Sequence, residues 1–251
     1  MSGHSKWSTI KRKKGVMDAK RGAIFTRIAK EVAIAAREGG GDPETNFKLR
    51  LAVDKAKAAN MPKDNIERAI KRGTGEDKDG VTIEEVFYEG YAPHGIAMMI
   101  ECVTDNRNRA VSDVRHVLNR FGGNMGDSGS VAWQFSQVSY FAFSPEGLDE
   151  LEIYEMAIEG GADDIIFEPD LVEIIGPVES FKTISDQMNL LKVVPDEAGL
   201  RMMPNQEMEL SLENTVKVMN VVEALEELDD VQNVYSNMAI SDDALKELEE
   251  T

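Results

Sequence analysis

Residues 138–176 read VSYFAFSPEGLDELEIYEMAIEGGADDIIFEPDLVEIIG, and the order of elements in this stretch decides the fold. Apolar and polar residues alternate over 138–143, which is typical of a half-buried strand. Ser144-Pro145-Glu146 then predicts the start of a helix that runs to Glu159 and ends at a pair of glycines. The last two elements of the stretch are short apolar runs, predicted as strands, over 164–167 and 171–175.

The residues after this stretch complete a recognisable arrangement. A helical pattern over 177–191 and a strand pattern over 199–203 follow. The predicted order is then β-α-β-β-α-β, which is the ferredoxin-like motif. We therefore predict an α+β domain over residues 136–206.

The segments on either side of that domain are incomplete by themselves. Residues 81–135 predict the order β-β-α-β, with the last strand over 130–135, and they lack one helix and one strand. A helix at 213–228 and a strand at 231–236 cannot bury a face on their own. Because these two elements supply what is missing, we predict another ferredoxin-like α+β domain made of residues 81–135 plus 207–240, interrupted by the first as an insertion.

Residues 1–16 show no clean period and predict an exposed arm, and the patterns from Asp18 to residue 75 are helical. A first helix ends at three consecutive glycines, and Asp42-Pro43 is typical of the cap and first turn of a second helix. Pro62 predicts the start of a third helix, and Gly73 predicts its end. The expected fold is multidomain with α and β structure: a three-helix domain with a basic arm, then two α+β domains, the second inserted into the first.

Charge is distributed unevenly along the 251 residues. The net charge is −18, yet residues 1–80 hold 19 Lys and Arg against 11 Asp and Glu, while residues 81–251 hold 9 against 35. Within the first thirty residues, nine are basic and one is acidic. Because salt screens exposed charges over about 8 Å, a ligand at the amino-terminal domain meets positive charge there. The acidic domains are expected to repel nucleic acid and to confine it to the basic side.

Composition excludes several classes of protein. The one cysteine, Cys102, excludes an internal disulfide framework and is typical of a reducing compartment. No apolar run approaches the roughly 18–20 residues of a membrane helix, and residues 1–7 lack the apolar core of a signal peptide. The sequence therefore predicts a cytoplasmic protein with no membrane partner.

The basic arm and the first helix form the first candidate site. Clustered Lys and Arg bind phosphate backbones by charge pairing and counterion release, and Trp7 could stack on an unpaired base. A solvated helix face beside a disordered tail is the alternative interpretation, and the residue types do not separate DNA from RNA. The predicted nucleic-acid-binding residues of this site are Lys6, Trp7, Lys11, Arg12, Lys13, Lys14, Lys20, Arg21, Arg27 and Lys30.

The run TDNRNR at 104–109 is the second candidate site, at a predicted junction between a strand and a helix. A helix N-terminus offers free N–H groups, and Arg107 and Arg109 would add positive charge for an anion. The alternative is a plain helix cap within the run, with Arg109 paired to Asp113 four residues on. Both interpretations stay open at this point.

Two features bear on catalysis. The segment GDSG at 126–129 matches the nucleophile segment of chymotrypsin-like proteases, but it follows a helix in a chain with one cysteine, so we interpret it as a turn. Beyond residue 130 the chain holds 28 acids against 5 bases, and no spacing among them matches a known metal cage. We predict no enzyme activity, metal or cofactor, and a metal-dependent enzyme is the weaker alternative. The acids that crowd two short strands are Asp163, Asp164, Glu168, Asp170 and Glu173.

Several motifs resemble the YebC family, and they are densest in the first 135 residues. They are GHSKW at 3–7, DAKRG at 18–22, GGGDP at 39–43, ANMPKD at 59–64, IERAIKRG at 66–73, YEGY at 88–91, TDNRNR at 104–109 and GSV at 129–131. That family includes bacterial proteins named as probable transcriptional regulators and a mitochondrial translational activator. Some members are associated with the relief of ribosome stalls at proline runs. The resemblance implies a helical domain, two α+β domains and no enzyme activity.

Together these observations predict a non-enzymatic regulator that binds nucleic acid. The resemblance makes DNA the expected partner and regulation of transcription the expected role. A ribosome-associated translation factor that binds ribosomal or transfer RNA is the alternative. No small-molecule substrate is expected.

Overall fold

The computed structural model describes residues 21–76, 83–241 and 243–245. The chain divides into two compact units, Met1–Gln134 with Pro204–Thr251, and Phe135–Met203. The α-helices of the described residues are α1 (Arg21–Gly39), α2 (Phe47–Ala58), α3 (Lys63–Thr74), α4 (Arg107–Arg120), α5 (Glu150–Gly160), α6 (Phe181–Leu190) and α7 (Leu212–Glu226). The strands are β1 (Glu84–Tyr91), β2 (Ala97–Thr104), β3 (Asn124–Met125), β4 (Phe135–Phe143), β5 (Asp164–Glu168), β6 (Leu171–Gly176), β7 (Glu197–Pro204) and β8 (Val231–Ser236).

Helices α1, α2 and α3 form a bundle in which α1 packs against both of the others. Each helix contributes one apolar stripe to a shared core, as the helical spacing of their apolar residues requires. No described helix combines the length and the apolar character that crossing a membrane requires. The larger side chains of the bundle core are Ile28, Val32, Leu49, Val53, Met61 and Ile66.

The start of α2 differs from the sequence-based prediction. Asp42-Pro43 lies in a turn, and the helix begins at Phe47 with Asn46 as its cap. Asn46 is buried, and its side-chain oxygen accepts from the amide of Leu49 at 3.1 Å while its amide group donates to the carbonyl of Ala35 at 2.7 Å. One buried side chain thus caps α2 and ties it to α1, which a surface cap by Asp42 would not do.

The end of α3 also differs from the prediction. The helix continues through Gly73 and ends at Gly75, whose φ of 76° is in the left-handed region that glycine favours. Gly73 instead lies where α3 crosses α1. A Cβ atom at Gly73 would collide with the carbonyl oxygen of Ala33 and lie 2.8 Å from the Cβ of Ala36. The glycine is therefore needed for the close approach of two helices.

We expect Gly73→Ala to lower the free energy of unfolding by up to about 3 kcal/mol, because the added methyl group overpacks the helix crossing. Gly22→Ala is the matched control, since a Cβ at Gly22 meets nothing within 4 Å in the helical first turn of α1. That change should stabilise the protein by up to about 1 kcal/mol through helix propensity. Urea unfolding of the two variants checks the prediction, and equal midpoints would contradict it.

The first unit also contains a four-stranded antiparallel sheet with the order β3-β1-β2-β8. Met98, Ile100 and Cys102 of β2 point from one face of this sheet into a core shared with α4 and α7. Because α7 and β8 follow the second unit along the chain, this sheet is complete only when the second unit is an insertion. The predicted fold class, a helical region followed by two α+β domains with one inserted into the other, is confirmed.

The second unit has the sheet order β5-β6-β4-β7, with α5 packed against α6. This is the strand order of the ferredoxin-like motif, as predicted. Two boundaries in the prediction are wrong. Residues 130–135 do not form a strand, because Ala132–Gln134 is a 3-10 helix and β4 begins at Phe135. Helix α5 begins at Glu150, since the side chain of Asp149 caps it by accepting from the amide of Leu151 at 2.8 Å.

Candidate nucleic-acid interface

The twelve residues predicted to bind nucleic acid divide into two groups. Arg21 is the first residue of α1, and Arg27, Lys30, Arg107 and Arg109 also belong to described helices. The other predicted residues lie outside the described part of the chain. These are Lys6, Trp7, Lys11, Arg12, Lys13, Lys14 and Lys20.

Two predicted residues from distant parts of the sequence meet at one carboxylate. Lys30 of α1 donates to Asp230 Oδ1 at 2.6 Å and to the carbonyl of Asp229 at 2.8 Å. Arg109 of α4 donates to Asp230 Oδ2 through Nε at 3.0 Å and through Nη2 at 2.8 Å. The hydroxyl of Thr104 donates to the same oxygen at 3.0 Å. We call Lys30, Thr104, Arg109 and Asp230 the Asp230 cluster.

The Asp230 cluster is largely shielded from water. The side chains of Asp230 and Lys30 are 6% and 12% exposed, and that of Arg109 is 48% exposed. Burial by itself raises the pKa of Asp230, but the hydrogen bonds from Lys30, Arg109 and Thr104 outweigh it and hold the pKa below its usual value. Asp230 therefore stays ionised and neutralises charge that would otherwise be available to a phosphate.

Arg27 is also engaged within the protein, because its guanidinium donates to the carbonyl of Glu226 at the end of α7. Together with Lys30 it connects α1 to the α7–β8 segment. The two predicted cations of α1 whose side chains are described thus hold the helical bundle against the first α+β domain. Either one could reach a phosphate only by releasing these contacts.

The start of α4 is capped by Asn106, whose side-chain oxygen accepts from the amide of Arg109 at 3.1 Å. Arg107 pairs with Glu84 of β1, and its side chain is 62% exposed. The alternative pairing of Arg109 with Asp113 is wrong. Arg109 turns back toward Asp105, at 2.7 Å, and Asp230, because the buried carboxylate of Asp230 offers a stronger partner than an exposed one.

A set of cations that the prediction omitted lies on α3. Arg68, Lys71 and Arg72 are exposed and have no ion pair with any described residue, and we call them the α3 basic face. Their spacing of three and four residues places them on one side of the helix. By contrast, Lys55 pairs with Glu31 at 2.8 Å and Lys57 pairs with Asp54 at 2.9 Å. The spacing was visible in the sequence, but the lack of ion pairs was not, because Asp64 and Glu67 precede Arg68 and Lys71 by four residues each and could have paired with them.

The GDSG segment is organised around a buried carboxylate. Glu89 of β1 is 8% exposed, and it accepts from the amides of Gly129 at 2.6 Å, Val131 at 2.7 Å and Ala132 at 2.9 Å. These backbone N–H groups are the kind that a protease would need for an oxyanion. Here the carboxylate of Glu89 already accepts from these N–H groups, so the arrangement stabilises the conformation of the loop.

The crowded acids and Cys102 all lie in the part of the chain that the structure describes. No three His, Cys, Asp or Glu side chains in those ranges are grouped so that they could hold a metal ion. Glu173, one of the crowded acids, is buried and accepts from the hydroxyl of Tyr140 at 2.7 Å. Burial first, then Asp230 and Glu101, raise the pKa of the Cys102 thiol to about 12, which leaves it unreactive at neutral pH.

Two carboxyl groups, those of Glu85 on β1 and Glu101 on β2, lie close together where the helical bundle meets the first sheet. Burial raises the pKa of Glu85 to about 7, and the charges of Glu101 and Glu38 add to this effect while Lys48 opposes it. Glu101 also accepts from the hydroxyl of Tyr235 at 2.7 Å. Burial and the neighbouring charge of Glu101 therefore both favour the protonated form of Glu85.

The pKa of Glu85 is higher in the folded protein than in the unfolded chain. We therefore expect the contribution of Glu85 to the free energy of unfolding to fall as the pH rises from about 4.5 to 7. The stabilisation is complete below the unfolded value and is lost as the pH passes the folded value. Glu85→Gln should remove this dependence and raise the melting temperature at pH 8 relative to the wild type. Thermal unfolding across this pH range provides the test, and parallel curves for both proteins would contradict it.

Two family models match the chain over most of its length. One, described as the TACO1/YebC protein N-terminal domain, matches residues 5–76. The other, described as the TACO1/YebC second and third domain, matches residues 83–238. The two matched ranges correspond to the helical region and to the α+β region of the structure.

Similar proteins extend over the same length. A probable transcriptional regulatory protein of Nitrosococcus oceani is 49% identical over 249 residues, which are 99% of this chain and 100% of that protein. One of Acidithiobacillus ferrooxidans is 50% identical over 251 residues, 100% of both chains. The crystal structure of a conserved hypothetical protein from Aquifex aeolicus has a TM-score of 0.81 and 41% identity, and covers 91% of this chain and 94% of that one. The chain therefore belongs to the TACO1/YebC family.

Proposed function

We propose that this chain is a non-enzymatic, DNA-binding regulator of transcription that acts in the cytoplasm and contacts phosphates through its amino-terminal domain. The α3 basic face carries the proposal, because its three cations are exposed and unpaired among the described residues of an otherwise acidic protein. The names of the relatives, probable transcriptional regulatory proteins, support the same role.

Unpaired cations favour phosphate binding for a simple energetic reason. A cation that is already paired must give up its partner before it can neutralise a phosphate, so the gain from counterion release is partly offset. Among the residues that the structure describes, Arg68, Lys71 and Arg72 have no such partner to give up. Lys30 must leave Asp230, and Arg107 must leave Glu84. We therefore assign the main contact to α3 together with the predicted basic arm.

The salt dependence of affinity for a duplex DNA fragment tests this proposal. For B-DNA, the slope of log affinity against log salt changes by about 0.9 for each phosphate contact. We expect Arg68→Ala, Lys71→Ala and Arg72→Ala each to flatten the slope by about one contact, and Lys13→Ala and Arg21→Ala to do the same.

Lys55→Ala and Lys57→Ala are the matched controls for that experiment. They remove the same charge from α2, but from cations that are paired with Glu31 and Asp54. Their slopes should stay near that of the wild type. If the α3 variants and the controls change the slope equally, net charge alone governs binding and the assigned contact is wrong.

Crosslinking of nucleic acid to the protein in cells distinguishes the kind of polyanion. Recovery of mostly DNA would support regulation of transcription. Recovery of mostly ribosomal or transfer RNA would overturn that role in favour of a ribosome-associated translation factor. The α3 basic face fits the phosphates of either, because phosphate contacts carry no sequence information of their own.

A further inference from the structure

An apolar stripe on the second unit remains uncovered in the structure. Leu151, Tyr154 and Ile158 of α5 are 65%, 40% and 69% exposed. Their spacing of three and four residues places them on one face of the helix, and we call them the α5 stripe. Single exposed apolar residues are ordinary, but an aligned set of large ones on one helix is typical of an interaction site.

A groove lies beside the start of the same helix. It has a volume of about 440 Å³ and is lined by Leu148, Ile153 and Phe167 together with the acids Glu150 and Glu168. The ring of Phe167 lies 4.8 Å from the ring of Tyr154, measured between centroids. The groove, which we call the α5 groove, is therefore continuous with the α5 stripe. Together they offer apolar area and a recess for a large side chain.

The charge around this surface restricts what can bind to it. Helix α5 has acids in its first turn and no Lys or Arg anywhere in its sequence, ELEIYEMAIEG. Across residues 135–203 there are fifteen Asp and Glu against three Lys and Arg. Such a surface repels nucleic acid, and a second copy of the same face would bring like charges together. Its complement is a positively charged polypeptide.

We propose that the α5 stripe and the α5 groove dock a basic, amphipathic segment of a partner protein. One large apolar side chain of the segment enters the groove, its other apolar residues cover the stripe, and its Lys and Arg residues face the surrounding carboxylates. Apolar burial supplies the affinity and the charges supply selection and orientation. This surface belongs to the second unit and the α3 basic face belongs to the first, so the two proposals rest on different residues.

Selection from a library of random short peptides, displayed on phage and presented to the full-length protein, tests the proposal. The enriched peptides should combine Lys or Arg with Leu, Phe or Trp. Synthetic copies of them should bind the protein in fluorescence anisotropy at about 0.15 M salt. The double variant with Leu151→Asp and Ile158→Asp should weaken this binding about tenfold or more.

Leu212→Asp provides a control of the same kind, because it places one aspartate at a half-exposed leucine at the start of α7 in the other unit, where the double variant places two on α5. It should leave peptide binding unchanged. Leu151 and Ile158 are both exposed, so the double variant should keep the wild-type melting temperature and the salt-dependent DNA binding. The experiment therefore distinguishes a failure of peptide docking from a failure of the proposed DNA binding.

Several outcomes would overturn the proposal. They are the absence of any enriched peptide, enriched peptides without basic residues, and equal binding by the double variant and the wild type. Self-association of the wild type that the double variant abolishes would also overturn it, because the surface would then bind a second copy of the chain.

Discussion

We expect Asp230→Ala to lower the free energy of unfolding by about 4 kcal/mol. The side chain of Asp230 is 6% exposed and receives hydrogen bonds from Lys30, Arg109 and Thr104. Removing the carboxylate leaves the ammonium of Lys30, itself only 12% exposed, without its counter-charge. An uncompensated buried charge costs much more than the pair contributes, and this asymmetry makes the expected effect large.

Asp229→Ala is the control for that substitution, because Asp229 is adjacent, exposed and takes part through its backbone carbonyl only. Its effect should stay within about 0.5 kcal/mol. Urea unfolding at neutral pH compares the two variants. A double-mutant cycle between Lys30→Met and Asp230→Asn then isolates their interaction. If Asp230→Ala costs no more than Asp229→Ala, the cluster does not hold the helical bundle in place.

The same contacts predict how acid affects the wild type. The pKa of Asp230 is lower in the folded protein than in the unfolded chain, so its stabilisation is complete above the unfolded value. It is lost as the pH falls through the folded value. The contribution of Glu85 to stability changes with pH in the opposite direction, because its pKa is raised to about 7 in the folded protein. At the junction between the bundle and the first sheet, Glu85 therefore favours folding at acidic pH and Asp230 favours it at neutral pH.

Element order was predictable because it depends on local patterns. Alternation over 138–143 and helical spacing after it depend on a few neighbouring residues, and the insertion followed from counting which elements lacked a partner. Helix boundaries were less predictable. The cap of α2 depends on Asn46 reaching Ala35 of another helix, and the role of Gly73 depends on where α1 crosses α3. Both are tertiary contacts that sequence spacing does not contain.

The candidate site was predictable only in its composition. The sequence predicted Lys30 and Arg109 as nucleic-acid-binding residues, but it gave no indication that both pair with Asp230, which lies 200 residues from Lys30 and 121 from Arg109. The raised pKa of Glu85 likewise depends on its burial and then on Glu101, which the pairing of β1 with β2 brings close. Contacts between distant segments decide which charged side chains remain unpaired and able to bind a phosphate. A count of charged residues in the sequence does not reveal these contacts.

Glu89 shows the same dependence on distant contacts, and its replacement gives the second large expected effect. We expect Glu89→Ala to lower the free energy of unfolding by about 4 kcal/mol, since three hydrogen bonds to a charged acceptor are lost and the buried N–H of Val131 and the half-buried N–H of Ala132 are left unpaired. Burial raises the pKa of Glu89, but the amides of Gly129, Val131 and Ala132 lower it further, so the carboxylate is ionised in the folded protein.

Glu89→Gln separates the contribution of shape from that of charge. One oxygen of Glu89 accepts from Val131 and Ala132, and the other accepts from Gly129. The side-chain oxygen of glutamine can accept from the amides of Val131 and Ala132, but its NH₂ group would face the N–H of Gly129. We therefore expect Glu89→Gln to lower the free energy of unfolding by about 2 kcal/mol. Asp127→Ala removes an exposed carboxylate from the same loop and should change the stability by less than about 0.5 kcal/mol. Urea unfolding of the three variants ranks them, and a glutamine variant as stable as the wild type would show that the negative charge of Glu89 does not hold the loop.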